Sequence, residues 1–370
     1  MGQGTGRRSA VQPDGDQLRA VFQRHRALNV NSKREERDGM NMETSAPRRK
    51  LGNSDLMLSP LGLGCWQFSG GKGLIGKFWP ALPKPDIVEI VQTSLAGGIN
   101  WFDTAEVYGG GKSEQMLAEA LKETNSPLAE EAHIATKWWP AFRTARSIGA
   151  TIGVRLQMLD HRTIHLHQVH QPFSFSSATS EMNEMAKLVK QGKIEYVGVS
   201  NFSAAKMREA DRALKEHGLR LVSNQVKYSL LDRRIEQNDS LDTAKELGVA
   251  IIAYSPLEQG LLSGKFHRSE ALVRAVKGPR RWSSGFRAAG LKKSLPLIEL
   301  LEHTAAKHDA TPTQVALSWM IHFHGQTVFA IPGATKVKHA EENVSAMKLS
   351  LTRSEIEAIS AASWDVLKKK

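Results

Sequence analysis

Eight short apolar runs, separated by helix-length amphipathic stretches, constrain this chain more than any other feature. The runs fall at 61–65, 99–102, 133–136, 164–170, 196–200, 221–225, 250–254 and 328–331. Helical spacing recurs between them at 86–96, 113–122, 143–159, 179–190, 204–217 and 240–247, then in a late helical pair, with 338–347 after the last run. Strands alternating with helices imply a parallel sheet of the α/β class, and eight such units imply a sheet closed into a (β/α)8 TIM barrel. A length of 370 residues suits such a barrel of ~250 residues with insertions.

Local signals refine this outline. Two short runs flank Gly52-Asn53-Ser54 and read as a β-hairpin ahead of the first barrel strand. Thr311-Pro312-Thr313-Gln314 combines an N-cap, a proline in the first helical position and a glutamine at N3, and Thr352 to Glu355 opens a C-terminal helix in the same way. The longest irregular insertion is expected after the seventh strand, at about 266–294, either as a functional lid or as a surface loop. Residues 1–46 are polar and basic without sustained periodicity, so a disordered extension is expected there, with the barrel domain at 47–365. This segment has no apolar h-region, and Asp14, Asp16, Glu35 and Glu36 argue against a transit peptide. Met40 and Met42 are alternative starts.

Composition excludes several function classes. An apolar content of 41% is enough for a buried core. No apolar run approaches the ~18 residues of a membrane span, so no membrane partner is expected. Net charge is +12, but residues 1–50 hold eleven Lys/Arg against six Asp/Glu and so account for +5 of it. No nucleic-acid motif or basic run with interleaved aromatics is present, so no nucleic acid is expected, and a basic surface around an anionic ligand is the preferred reading. Cys65 is the single cysteine, which rules out an intrachain disulfide and is consistent with a reducing, cytoplasmic setting.

Four polar residues sit where apolar runs give out: Asp103 after "GGINWF", Tyr108 five residues later, Lys137 after "AHIAT" and His170 closing "TIHLHQV". On parallel neighbours of one barrel they converge at one mouth. An unperturbed phenol, with a pKa of ~10, is a poor proton donor near neutrality, and a nearby cation lowers it. Lys137 is the expected cation and Asp103 its partner, with His170 on the far side of the phenol to orient a carbonyl. Singly, each residue has an ordinary alternative as a loop cap, a packed ring, a solvated lysine or a structural histidine. His165, His167 and His170 fall at i, i+2 and i+5, which puts His165 and His167 on one strand face and His170 on the other. No carboxylate or cysteine cluster completes a metal shell with them, so no metal is expected.

Beyond these four residues, "NWFDTAEVYGGGKSE" resembles the signature of the aldo-keto reductases. "ATKWWP", "HQVHQP", "VGVSNFS", "AYSPLEQGLLSGK" and "IPGATKVKHAEEN" resemble further motifs of that family, in family order, over roughly 48–363. The branch it looks like holds the potassium channel β subunits and bacterial and plant reductases. The resemblance implies that the hairpin plugs the barrel bottom. It also implies that Asp103, Tyr108, Lys137 and His170 form a catalytic tetrad, with Tyr108 as proton donor in NADPH-dependent reduction of an aldehyde or ketone. A small-molecule carbonyl substrate is then the expected partner. The alternative is an NADPH-binding regulatory module with little or no turnover, like the potassium channel β subunits.

No GxGxxG follows any strand, so the cofactor is expected at the barrel mouth itself. By spacing alone Ser200, Asn201, Gln225 and Tyr254 read as ordinary strand-end caps; the resemblance implies that the first three meet the nicotinamide carboxamide, with Tyr254 stacked under the ring. The resemblance implies that Ser255, Leu257, Gly260 and Lys265, within "SPLEQGLLSGK", meet the pyrophosphate. The resemblance likewise implies that the adenosine end lies on Gly333, Thr335, Lys336, His339, Glu342 and Asn343, where a helix N-terminus favours a phosphate. Lys336, helped by His339, favours NADPH over NADH. Many relatives carry Arg or Ser where Thr335 stands, which leaves that preference open. Trp66, Trp101, Trp138 and Trp139 all lie near strand C-ends and suggest an aromatic pocket, with Trp66 and Trp138 as the expected substrate walls. Neither the substrate nor the oligomeric state is readable.

Overall fold

The computed structural model describes residues 47–71, 79–276 and 283–368. The extension expected to be disordered, residues 1–46, lies outside them. Two short strands, β1 (Arg49–Lys50) and β2 (Met57–Leu58), pair antiparallel as the predicted hairpin. Eight strands follow in one sheet: β3 (Leu63–Gly64), β4 (Trp101–Asp103), β5 (His133–Trp138), β6 (Ile164–Val169), β7 (Ile194–Ser200), β8 (Leu221–Lys227), β9 (Ala250–Tyr254) and β10 (Val328–Ala330). Each pairs parallel with the next. Parallel bridges Leu61↔Ala330 and Gly64↔Gly333 join the first strand to the last. Hydrogen bonds from Gly62 N–H to Ala330 O (2.9 Å) and Gly64 N–H to Pro332 O (3.1 Å) complete a (β/α)8 barrel.

The barrel interior is stratified. At the bottom, Leu51, Leu56 and Leu58 of the hairpin pack with Trp101, Ala135, Leu166, Val222, Ile252 and Phe329. Gly52 makes this plug possible, with a left-handed φ of 56° and a position where a Cβ would lie 2.4 Å from Val222 O. Higher up, the inward positions turn polar. Because side chains alternate along a strand, inward Trp101 puts Asp103 inside, and inward Ala135 puts Lys137 inside. Phe102, between the first two, and Trp138, next after Lys137, face the helices and join the larger apolar layer between sheet and helices.

Two register shifts tune that alternation. One, between Ile134 and Ala135, leaves His165 without a strand partner, and its Nδ1 accepts the Ile134 N–H at 3.1 Å. The other lies between Val197 and Gly198, opposite 221–223, and brings Gln225 to the interior.

The helices begin where their caps predict. Ser177 and Ser203 cap Ala178–Lys190 and Ala204–Lys215, and Thr311 with Gln314 forms a full capping box on Pro312–His322. Thr352 and Glu355 reciprocate in the same way before Arg353–Lys368, which carries the fold beyond the expected boundary at 365.

The expected irregular insertion at 266–294 is largely helical instead. It holds Lys265–Arg268, Glu270–Arg274, Ser284–Phe286 and the start of Ala288–Lys307, while 277–282 lie outside the described residues. Its own small core explains the order: Phe266 and Phe286 meet edge to face at 5.0 Å beside Leu261. Gly290 and Pro296 mask the helix in the sequence, because both are poor helix formers. Among the described residues, no helix is long and apolar enough to cross a membrane, and no group of His, Cys, Asp or Glu is placed to hold a metal ion.

Candidate active site

The C-terminal ends of β4, β5 and β6 deliver Asp103, Lys137 and His170 to one place, and the loop after β4 adds Tyr108. Asp103 is almost fully buried, and its carboxylate is the hub. One oxygen pairs with the Lys137 ammonium. The other accepts from Gln225 Nε2 at 2.8 Å and Gln168 Nε2 at 3.2 Å. Lys137 also donates to the Thr104 carbonyl at 2.9 Å. A buried ion pair holds only when its remaining donors and acceptors are satisfied, and here they are. Burial opposes the Lys137 charge, but Asp103 and Tyr108 outweigh it and raise the pKa above the usual lysine value, so the side chain stays protonated.

Tyr108 is presented by a tight loop. Thr104 donates to Ser113 Oγ (2.8 Å), which donates to Cys65 O (2.6 Å). Gly109, Gly110 and Gly111 follow with φ of 66°, 66° and 92°, and a Cβ on Gly109 would lie 2.3 Å from Ser69 O. The half-buried phenol ring stacks on Trp66 at 5.9 Å between centroids, and the Lys137 ammonium lies 5.1 Å from its centre. Lys137 pulls the phenol pKa down as expected from the sequence. The net direction is nevertheless upward, because burial pushes harder and Asp103 adds to it.

His170 stands edge-on to Tyr108, with ring centroids 5.6 Å apart. Its backbone N–H is fixed by Trp138 O at 3.0 Å, and its buried Nδ1 has no hydrogen-bond partner. Burial, then Lys137, push its pKa well below the usual histidine value, so the imidazole is neutral at neutral pH. His167 lies on the opposite, helix-facing side of the strand and takes no part in the site.

Trp138 is not a substrate wall. It is fully buried in the outer apolar layer, with its indole N–H on Ser147 Oγ at 3.0 Å. Since Lys137 points inward, its neighbour must point outward. Trp139, one residue beyond the strand, is the one that stands beside the site, edge-on to His170 at 5.2 Å and to Phe173 at 5.6 Å. Trp66 does lie at the mouth, with Trp79 edge-on to it at 6.2 Å.

The residues expected at the cofactor fall on or just after β7 to β9, on the loop after β9 and on the segment 333–343 after β10. Asn201 takes a left-handed φ of 59°, donates to Ser200 Oγ (3.1 Å) and accepts from the Tyr254 hydroxyl (3.2 Å). Gln225 instead commits its amide nitrogen to Asp103. Beyond Tyr254 the backbone turns left-handed at Ser255, Glu258, Gln259 and Gly260, a loop closed by Gly260 N–H on Leu257 O at 2.9 Å. A Cβ on Gly260 would lie 4.0 Å from the Lys265 ammonium. Gly333 abuts the Gln67 amide, where a Cβ would approach to 2.2 Å. His339 Nδ1 accepts from Thr335 N–H (3.3 Å) and lies within 3.2 Å of its hydroxyl. Burial, then Lys265, Lys336 and Lys338, lower the His339 pKa, which marks a concentration of positive charge there. Glu342 is half-buried, and burial raises its carboxyl pKa. Asn343 Nδ2 is buried without a protein partner, an open demand for an acceptor.

Sequence reading missed Gln168, Gln67, Trp79, Phe173 and the Glu106–Arg143 pair. Gln168 was within reach: it shares the inward phase of Leu166 and His170. The others depend on loops that come together only in the fold.

Comparison with known proteins agrees with this fold. The aldo/keto reductase family model matches residues 60–363. A probable aldo-keto reductase of Glycine max is 31% identical over 317 residues, covering 84% of this chain and 87% of the relative. An uncharacterised oxidoreductase of Mycobacterium tuberculosis is 36% identical, covering 82% and 89%. Among solved structures, the glycerol dehydrogenase of Gluconobacter oxydans superposes with a TM-score of 0.73 at 28% identity, covering 86% of this chain and 95% of that one.

Proposed function

Because the chain belongs to the aldo-keto reductase family, we propose that it reversibly reduces an aldehyde or ketone to an alcohol with NADPH, Tyr108 supplying the proton. The observation that carries this reading is the buried Asp103–Lys137 pair beside a phenol that faces a neutral imidazole. The oxidoreductase and dehydrogenase names of its relatives support the same class of reaction.

In this reading the nicotinamide supplies the hydride when bound. Tyr108 gives its proton to the carbonyl oxygen during reduction and takes it back during oxidation. Lys137, held charged by Asp103, stabilises the phenolate left behind and offsets part of the upward push of burial. His170, being neutral, orients the carbonyl oxygen without adding a second positive charge. Trp66 and Trp139 flank that oxygen with apolar surface and keep water from the proton path.

The residues present fit a dinucleotide. Ser200, Asn201 and Tyr254 would hold the nicotinamide end, with Gln225 serving it through Asp103. Ser255, Leu257, Gly260 and Lys265 would hold the pyrophosphate. Gly333, Thr335, Lys336, His339, Glu342 and Asn343 would hold the adenosine end. The unpartnered Asn343 amide supports an acceptor-bearing base, and the lysines around His339 support a 2′-phosphate.

The test is absorbance of reduced nicotinamide with a panel of aldehydes and ketones. Tyr108→Phe is expected to cut turnover by roughly 10²–10⁴-fold while NADPH still quenches protein fluorescence. Turnover surviving that change removes Tyr108 as donor. NADPH binding with no turnover on any carbonyl favours a regulatory module instead.

A further inference from the structure

Glu106 lies between Asp103 and Tyr108 in sequence, yet its carboxylate turns to the loop after β5. One oxygen accepts the Trp139 N–H at 3.3 Å, and the other pairs with Arg143. Arg143 also donates to the Trp139 carbonyl at 3.4 Å, so both backbone groups of Trp139 are held by one ion pair. The backbone of Arg143 then reaches the loop after β6: its carbonyl accepts the Phe175 N–H at 2.9 Å, and the Ala145 N–H donates to Ser176 Oγ at 2.9 Å. Three loops, carrying Tyr108, Trp139 and His170, thus meet at Arg143, whose side chain ties the first two through Glu106 and whose backbone segment ties the third. Between them, the Trp139 ring meets both His170 and Phe173 edge-on.

The neighbouring backbone shows how firmly this junction is set. Phe142 has φ 58° and is 91% exposed. A bulky residue persists in that left-handed conformation only where its surroundings over-determine it. No packing of its own ring holds it there, so the restraint falls to the bonds made by Arg143. Glu106 has a second partner, Arg155 at 3.8 Å, which is buried against Glu114 and ties the loop to the helix Arg146–Met158. That half of the network belongs to the fold. The Arg143 half belongs to the rim, since its side chain is 34% exposed on a loop.

We propose that the Glu106–Arg143 pair is a positioning device that holds Trp139 against His170 and so keeps in place the aromatic wall on which a large apolar substituent of the carbonyl substrate packs. This rests on the carbonyl-reductase reading above. Neither residue need touch the substrate. Their effect passes through Trp139, the wall nearest the imidazole.

The experiment combines kinetics with amide hydrogen exchange on the full chain, comparing wild type with Arg143→Ala and Arg143→Lys. Benzaldehyde and acetaldehyde serve as large and small probes. In Arg143→Ala, exchange is expected to quicken in both 138–145 and 171–177 while the barrel strands keep their protection. KM for benzaldehyde should rise about tenfold, with kcat and the acetaldehyde KM within about twofold, the signature of lost binding rather than lost chemistry. Arg143→Lys, which keeps the charge, should recover part of both effects. Exchange confined to 138–145, equal KM changes for both aldehydes, or a fall in kcat alone overturns the proposal. If wild type turns over neither aldehyde nor any carbonyl of the wider panel, the carbonyl-reductase reading fails, and exchange in the two loops still upholds or overturns the junction.

Discussion

Trp138 and Trp139 are adjacent in the chain and lie on opposite sides of the barrel wall. Trp138 fills the layer between β5 and the helices, and Trp139 leans over the mouth beside His170. The two substitutions should therefore separate stability from activity. Trp138→Ala is expected to destabilise by about 3–5 kcal/mol, the cost of a large cavity in a packed core, read from denaturant unfolding. Trp139→Ala should change stability by less than about 1 kcal/mol and raise KM for bulky carbonyl substrates. The reverse pattern would return the wall to Trp138.

Gln168 is the next test, because it serves Asp103 from a position no ligand need touch. Gln168→Leu keeps the volume and removes one of the two amide donors on that carboxylate oxygen. A hydrogen bond to a buried charge contributes about 1.5–3 kcal/mol, so turnover should fall roughly 10–100-fold as the Asp103–Lys137 pair loosens. NADPH binding should be unchanged. Unaltered kcat would show that Gln225 alone is enough to fix Asp103.

Much of this molecule was legible in its sequence, and the gaps have a common cause. The eight strands, the hairpin, the Thr311 cap and the places of Asp103, Tyr108, Lys137 and His170 follow from local patterns, since period and capping act within a few residues. Trp138 was misread because closeness to Lys137 in the chain was given more weight than the alternation that Lys137 itself fixes. The net direction of the Tyr108 pKa was misread because a cation nearby can be guessed from sequence, whereas the desolvation opposing it depends on how Trp66 covers the ring. Glu106 and Arg143 were invisible for a stronger reason: 37 residues separate them, and neither lies in a motif whose chemistry names the other.

The buried His167 makes a stability prediction with a definite sign. Burial lowers its pKa to about 4 in the folded chain. The unfolded chain, at ~6.5, therefore binds a proton first as pH falls, and stability is lost progressively below pH ~6.5. Between pH 7 and pH 5 this one residue should remove about 2 kcal/mol, a difference abolished in His167→Gln. Glu114 and Glu181 act in the opposite sense. Burial raises each carboxyl to about 7, so each stabilises most below ~4.5 and loses that contribution as pH rises through 7. The variant comparison isolates His167 from both. An unchanged slope in His167→Gln would show that the imidazole is solvated in the native state.

Lys336 decides whether the positive region around His339 reads a 2′-phosphate. It precedes the helix Val337–Lys348, where the dipole already favours an anion, and its exposed side chain is free of any ion pair among the described residues. Lys336→Ala should weaken NADPH binding about tenfold, on the order of 1.4 kcal/mol, and leave NADH affinity within about twofold. Both are measurable by fluorescence titration. The comparison must be made at fixed ionic strength, because an exposed ammonium is screened beyond about 8 Å at physiological salt. Equal losses for the two nucleotides would mean that Lys336 meets the shared pyrophosphate. No loss for either would move the 2′-phosphate contact to Lys265 or Lys338, the other two cations that depress the His339 pKa.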